Sequence, residues 1–245
     1  MPQIERSPVQ CPVRGRAASG EIPVHTYKKP RQPTREAILD AAELLMSQRG
    51  FNGVSLREIA RESDVNLGSV TYHFGTKEKL LAAIYDRHTK PMNQRRLELL
   101  SEAGRITDRK ERLHAIVRAF VIPAFSSQSD VAGGGARFTR IRAILSMEGN
   151  EAARNIIAAS FDETTNLFVD AIAGCVPNAD RGSILWRCHF LLGALYYTLV
   201  NGDRIDRLSG GMVKGSDHDR ATEELVRATA AALQELDLTK RKAGF

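Results

Sequence analysis

From residue 34 onward the apolar positions recur at intervals of three and four, as amphipathic helices require, and no stretch alternates as a half-buried strand would. Ile38, Ala41, Ala42 and Leu45 form the apolar face of a first helix. It starts at Thr34, runs to Arg49 and is closed by Gly50, where a left-handed residue is wanted. Ser55 followed by Glu58 is a capping box, which predicts a short second helix over 55–62 with Leu56, Ile59 and Ala60 inward. Ser63 to Val65 reads as a turn, and a third helix is predicted over 66–73 with Val70 and Phe74 facing the core. Thr76 caps a fourth helix that packs back through Leu80, Leu81 and Ile84 and continues towards Leu100. Pro91 lies inside it, and a bend is expected there because proline removes one backbone bond.

Beyond this point the pattern stays helical. Helices are predicted over 109–125, 136–148, 151–174, 181–202 and 218–237. Gly133-Gly134-Gly135, Gly149-Asn150, Pro177-Asn178 and the polar stretch Ser209 to Asp217 separate them. The fold class is therefore all-α, with an N-terminal three-helix unit at 34–90 and a helical body at 91–245. Residues 1–33, with Pro2, Pro8, Pro12, Pro23 and Pro30 and few large apolar side chains, read as a disordered basic arm.

Two short helices joined by a tight turn are the layout of a helix-turn-helix, whose second helix presents its N-terminal residues to base edges in the major groove. Here that helix carries Asn66, Gly68, Ser69, Thr71, Tyr72 and His73. Asn66 has the groups to pair with adenine. Gly68 costs helix propensity, which is explained if the backbone comes close to the duplex. Ser69 and Thr71 are short hydroxyls, and Tyr72 and His73 end the helix with donors suited to phosphate oxygens. Lys77 adds a cation in the next helix. Ser55 and Arg57 stand at the start of the second helix, where free N–H groups bind phosphate. Ser55 also serves as a cap, and Tyr72 and His73 also suit a purely structural role at the helix end.

Charge qualifies this picture. The chain carries a net +6, but residues 34–90 hold eight basic and eight acidic side chains. Most of the excess, +4, lies in the arm, so DNA binding would depend on a few aimed groups rather than a general field. The longest largely apolar run, Phe190 to Val200, spans 11 residues, against about 20 for a membrane helix, so no membrane partner is expected. Cys11, Cys175 and Cys188 are too few and too dispersed for a disulfide framework, and a cytoplasmic location is expected. No enzyme motif is present: Gly133 to Gly135 lacks the lysine and hydroxyl of a phosphate-binding loop and follows no strand.

The stretch from Thr34 to Arg87 closely resembles the DNA-binding domain of tetracycline-repressor-type (TetR family) regulators. The resemblance rests on Ala41-Ala42, Gly50-Phe51, Ser55 to Ala60, Val65, Tyr72-His73-Phe74 and Lys77-Glu78-Leu80-Leu81. It implies a dimeric, usually repressing transcription factor whose body binds a small effector. It also implies that Ser55, Tyr72 and Lys77 hold phosphates. A weaker likeness joins Leu185 to Ala194 to the PsrA-like subgroup, some of whose members respond to fatty acids or acyl thioesters. A rival reading is a small-molecule binding protein of the same fold that has lost specific DNA binding.

In the body, Trp186, Phe190, Gly193 and Tyr197 recur at helical spacing, as do Ala221, Leu225 and Ala228 on the last helix. Two such helices from each of two copies would make a four-helix seam, or the same residues would serve one chain's core. An effector pocket among the middle helices would be lined by Phe120, Phe138, Ile141, Phe161 and Phe168, with Arg142, Glu148 or His189 as polar anchors. Cys188 and His189 are neighbours on a helix and do not face each other, so no metal or other cofactor is expected.

Overall fold

A computed structural model of the chain describes residues 34–125 and 135–242, with side chains in the last helix described as far as residue 238. The arm 1–33, Cys11 and the Gly133-Gly134 turn lie outside the described residues. Within them the chain forms α1 (Thr34–Arg49), α2 (Leu56–Glu62), α3 (Leu67–Phe74), α4 (Lys77–Gly104) and α5 (Arg109–Phe125). These are followed by α6 (Gly135–Met147), α7 (Glu151–Cys175), α8 (Arg181–Val200), α9 (Gly202–Leu208) and α10 (His218–Lys242). No strand occurs among the described residues.

The helix starts are fixed by side chains next to them in sequence. Ser55, Asn66, Thr76, Asn150 and Asp180 each accept a hydrogen bond from the backbone N–H three residues on. Each answers one of the N–H groups a helix leaves free at its first turn. At α2 the box is complete, since the Ser55 N–H also donates to Glu58 at 2.9 Å. Gly50 closes α1 with φ +74°, a conformation that costs an L side chain dearly.

Among the described residues the apolar side chains form two cores. One joins α1–α3 and the first half of α4 to α6 and the first half of α7. Ile38, Met46, Ile59, Val70 and Leu80 meet Phe138, Ile141, Leu145 and Phe161 in it. The other joins α5, the end of α7, α8 and α10. α4 serves both. It runs unbroken through Pro91 for 28 residues, about 42 Å at the usual rise. Its inward stripe is Tyr85, Thr89, Met92 and Arg96.

α9 is an element the sequence pattern did not predict. It follows the α8 terminus directly and has no side-chain cap. Its return loop is held by tertiary bonds instead. Asp206 accepts from the Gly215 N–H, and Ser209 Oγ from the Val213 N–H at 3.0 Å. The Gly202 and Gly215 backbones touch so closely that a Cβ on Gly215 would stand 2.0 Å from the Gly202 carbonyl oxygen. α8 qualifies the apolar-run argument of the sequence and leaves the membrane expectation in place. Over an 18-residue window its mean hydropathy reaches 1.2, so by length and composition alone it is apolar enough to span a bilayer. The 11-residue run hid this because Arg187 and His189 interrupt the apolar sequence N-terminal to it. In the structure α8 packs one stripe, Ile184, Leu191 and Leu195, against the body and leaves the opposite side open.

Candidate DNA interface and effector pocket

The outer edge of α3 is free. Asn66, Gly68, Thr71, Tyr72 and His73 are exposed and Ser69 is half-buried, while Val70 and Phe74 are sealed in the core. Tyr72 is 86% exposed and packs edge-on against the His73 ring at 5.3 Å. Gly68 would bring a Cβ near nothing but the Asn66 side chain, at 3.1 Å, so its outer side is open to a close backbone approach. Ser55 and Arg57 are exposed at the start of α2.

Several of these side chains already have work within the protein. Asn66 Oδ1 accepts from the Ser69 N–H at 2.8 Å, so the cap uses the oxygen that a bidentate adenine contact would need. Thr71 Oγ1 donates back to the Leu67 or Gly68 carbonyl. Ser55 is bonded to Glu58, and Arg49 reaches the same carboxylate at 2.8 Å. The Arg49 guanidinium, with Ser55 beside it, holds the Glu58 carboxyl down at about 2. Lys77 donates to the carbonyls of Phe51 and Val54, both at 2.9 Å, and stands 4.3 Å over the Phe51 ring. An ammonium has three donors, so one remains beyond these two bonds. Arg35, 5.3 Å from the Phe74 ring, is a further cation at this end of α3, hidden from sequence reasoning because it lies in α1.

Phe51 also connects the head to the body. Its N–H donates to Glu148 at 3.2 Å, and the Asn52 N–H reaches the other oxygen at 3.4 Å. Glu148 follows the end of α6 directly. It was expected as a pocket anchor and instead grips the α1–α2 turn, because α6 ends where α1 ends. A Cβ on Gly50 would collide with this carboxylate at 1.9 Å. One more link lies alongside, next to an ion pair within the head. His88 of α4 bonds Glu43 of α1 at 2.8 Å and stacks on Phe138 of α6 at 4.9 Å. Arg87 pairs with Asp40 at 2.6 Å and with Glu43 at 3.1 Å.

The expected pocket residues fall into two groups. Phe138, Ile141 and Phe161 belong to the first core and Phe120 and Phe168 to the second. All are buried, as is Arg142. Arg96, overlooked in the sequence because a lone arginine in a helix usually reaches water, lies between the groups against Phe120 and Phe161. A small apolar cavity of about 20 Å³ adjoins Phe120 and Phe168, room for about one water. His189 lies apart from both groups. It is exposed beside Trp186, 5.9 Å between ring centres, because the inward stripe of α8 passes through Cys188 rather than its neighbour.

Trp186, Phe190 and Tyr197 stand exposed on that same outer side, Trp186 by 61%. Gly193 beside them would bring a Cβ against nothing. On α10, Ala228 is exposed and Ala221 and Leu225 are half-buried.

Two family models match the chain. That for bacterial regulatory proteins of the tetR family covers residues 38–84. That for the tetracyclin repressor-like C-terminal domain covers residues 118–232. The chain belongs to the TetR family of transcriptional regulators. Curated relatives agree over the head. The repressor NemR of Escherichia coli K12 is 39% identical over 83 residues, 34% of this chain and 42% of NemR. The regulator AcrR of Shigella flexneri is 37% identical over 71 residues, 29% of this chain and 33% of AcrR. The chain thus matches less than half the length of either. Solved structures share the fold across most of the chain. The fatty acid degradation regulator FadR of Bacillus halodurans aligns with TM-score 0.53 and 16% identity over 81% of this chain and 97% of its own. A Saccharomonospora viridis regulator in complex with choline aligns with TM-score 0.53 and 21% identity, over 78% and 92%.

Proposed function

We propose that this protein is a homodimeric repressor that leaves a palindromic operator when a small hydrophobic effector enters its body. The observation that carries the ligand response is the placement of α6. One part of it carries the buried Arg142, Phe138 and Ile141, the residues proposed to meet the effector, and Glu148 directly after its end holds the Phe51 and Asn52 N–H groups. The Phe51 carbonyl in turn receives Lys77, at the start of the helix that follows α3. An effector that shifts α6 therefore displaces the turn that supports Ser55 and Lys77. It acts only to the extent that it binds the released state better than the DNA-bound one.

The open face of α8, with the small residues of α10, suits a second copy. The four helices would close a two-fold seam and set two α3 helices a fixed distance apart, as a palindrome requires. Ser55, Arg57, Tyr72, His73 and the remaining donor of Lys77 would hold phosphates, and Ser69 and Thr71 would face bases. The likeness of Leu185–Ala194 to the PsrA-like subgroup makes fatty acids and acyl thioesters the first effectors to try.

The test is a gel shift on the DNA upstream of the protein's own gene, across a salt series. The expected result is a discrete complex of two chains per site, weakened steeply by salt and dissolved by an acyl compound. Absence of any sequence-preferring complex at low salt would overturn it. The net-neutral head would then favour a binding protein that has kept the fold without the DNA function.

A further inference from the structure

Among the described residues, two buried guanidinium groups have no acid beside them. Arg96 of α4 is 2% exposed and Arg142 of α6 is 5% exposed. Both lean on the same ring. Arg142 lies 3.6 Å from the Phe161 centroid and Arg96 5.8 Å from it. Arg96 also covers Phe120 at 4.2 Å and donates its Nε–H to the Phe120 carbonyl at 3.1 Å. Arg142 faces Tyr196 at 5.6 Å, and its Nε–H has no acceptor. The hydroxyl of Tyr85, on the same inward stripe of α4 as Arg96, is buried without a partner too. Among the described residues no aspartate or glutamate comes within ion-pair distance of either arginine.

Aromatic faces offset part of the desolvation of a cation. They do not supply an acceptor for Nε–H, nor do they answer the repulsion of two cations placed together. Burial and the neighbouring Arg142 push Arg96 down to about 9, so it stays charged at neutral pH. Ordinary proteins bury charge in answered pairs. Two buried forks and a free phenol around one ring make a set of donors lacking its acceptor, and a planar oxyanion is the group such forks match.

We infer that Arg96 and Arg142, with the Tyr85 hydroxyl, form a binding site for an oxyanion headgroup, and that the effector is an amphiphilic organic anion. This deepens the ligand-responsive reading above and rests on it. The apolar part of the ligand would lie against Phe138, Ile141 and Phe161, or extend past Phe120 towards Phe168. Anion binding would draw α4 and α6 together at Arg96 and Arg142, and α6 leads directly to Glu148.

The full-length protein is titrated by calorimetry and thermal melting in a buffer free of phosphate and sulfate. The probes are octanoate, octanol and inorganic phosphate, and the variants are Arg142→Met and Arg142→Lys. Octanoate should bind saturably and raise Tm, with octanol at least tenfold weaker. Arg142→Met should bind octanoate at least tenfold more weakly, and Arg142→Lys should fall between. Ligand-free Arg142→Met should melt at or above wild type, because an unanswered charge has been removed from the interior. Arg96→Met adds a second loss of octanoate binding where that variant folds. Saturable phosphate binding that Arg142→Met loses supports the site with a free oxyanion as its occupant. Equal binding of octanol and octanoate, unchanged octanoate binding by Arg142→Met, or no response to either anion would overturn the assignment. A gel shift separates the two readings. Octanoate bound without effect on a DNA complex leaves the site standing and removes its role as effector. DNA released by a neutral acyl compound, equally in Arg142→Met, leaves the regulator standing and removes the site.

Discussion

Phe51 shows how much one residue's backbone can carry. Its N–H is held by Glu148 and its carbonyl by Lys77, so the α1–α2 turn is bolted from the body on one side and from α4 on the other. Lys77 therefore has two tasks, and a substitution there removes both. Lys77→Met should lower stability by about 1–2 kcal/mol, since bonds from a charged donor to two carbonyls are lost. It should also weaken binding to every DNA sequence and flatten the salt dependence. Tyr72→Phe leaves the core untouched and should cost several-fold in DNA affinity with no change in Tm. Thermal melts beside gel shifts separate the two cases, and normal DNA binding by both variants would remove these residues from the interface. Glu58 gives a residue-scale pH dependence. Its carboxyl lies well below the ordinary 4.5, at about 2, through Arg49 and Ser55. A depressed folded value means that its contribution is complete above about 4.5 and fades as pH falls towards 2. Acid titration of head-domain helicity should show that window in wild type and a shallower slope in Glu58→Gln. At this scale the sequence revealed the roles set by near neighbours, such as Ser55 with Glu58. It did not reveal Lys77 with Phe51 or Arg96 with Phe120, where 24 to 26 residues separate the partners. His189 was misplaced for a related reason: one step along a helix turns a side chain by 100°, and only the packed neighbours show which stripe faces inward.

At the scale of elements, the helices legible in the sequence are those with a side-chain cap or a glycine stop of their own. α1 to α4, α7 and α8 start or end within a residue or two of the expected positions wherever Ser55, Asn66, Thr76, Asn150, Asp180 or Gly50 marks them. α9 has no such mark and is held by Asp206 and by two glycines in contact, so nothing local announced it. The α6–α1 junction offers a prediction of its own. Gly50→Ala must hold φ near +74° and displace the Glu148 carboxylate. It should cost about 1–2 kcal/mol from backbone strain and the lost bonds. Glu148→Ala loses the same bonds without the strain and should cost about 1 kcal/mol. Because both remove one contact, the double variant should fall short of the sum, as chemical denaturation of all four proteins can show. Additive costs would mean that Glu148 does not hold the turn. Both single variants should also respond less to effector at equal DNA affinity.

At the scale of the whole molecule, the exposed aromatic face of α8 sets the expected assembly. Phe190→Glu places a charge at the centre of the proposed seam and should convert a dimer to a monomer by sedimentation. Binding to a full palindrome should then fall far more than binding to a half-site. Trp186, the chain's one tryptophan, supplies an internal reporter, since dilution of wild type into monomer should shift its emission to the red. A monomer at all concentrations, or a dimer unaffected by Phe190→Glu, would move the seam elsewhere. The helix-turn-helix motif was legible in the sequence, but the way the molecule shares its interior was not. Apolar periodicity says which side of a helix is inward and nothing about which other helix it meets. Here the residues that bury α1 to α3 include Phe138, Ile141, Leu145 and Phe161, drawn from far along the chain.

That shared interior bears on how such a regulator can be rebuilt. Likeness to NemR and AcrR is confined to a stretch of 71 to 83 residues, which invites treating the reading head as a cassette to be cut out and grafted. A cut near residue 90 would sever α4 in mid-course and strip the head of the walls that α6 and α7 provide. The segment that relatives share is therefore not a segment that stands alone. A functional chimera would have to carry the facing surfaces of α6 and α7 along with the head, and new DNA specificity is more simply installed by exchanging the outward residues of α3 in place.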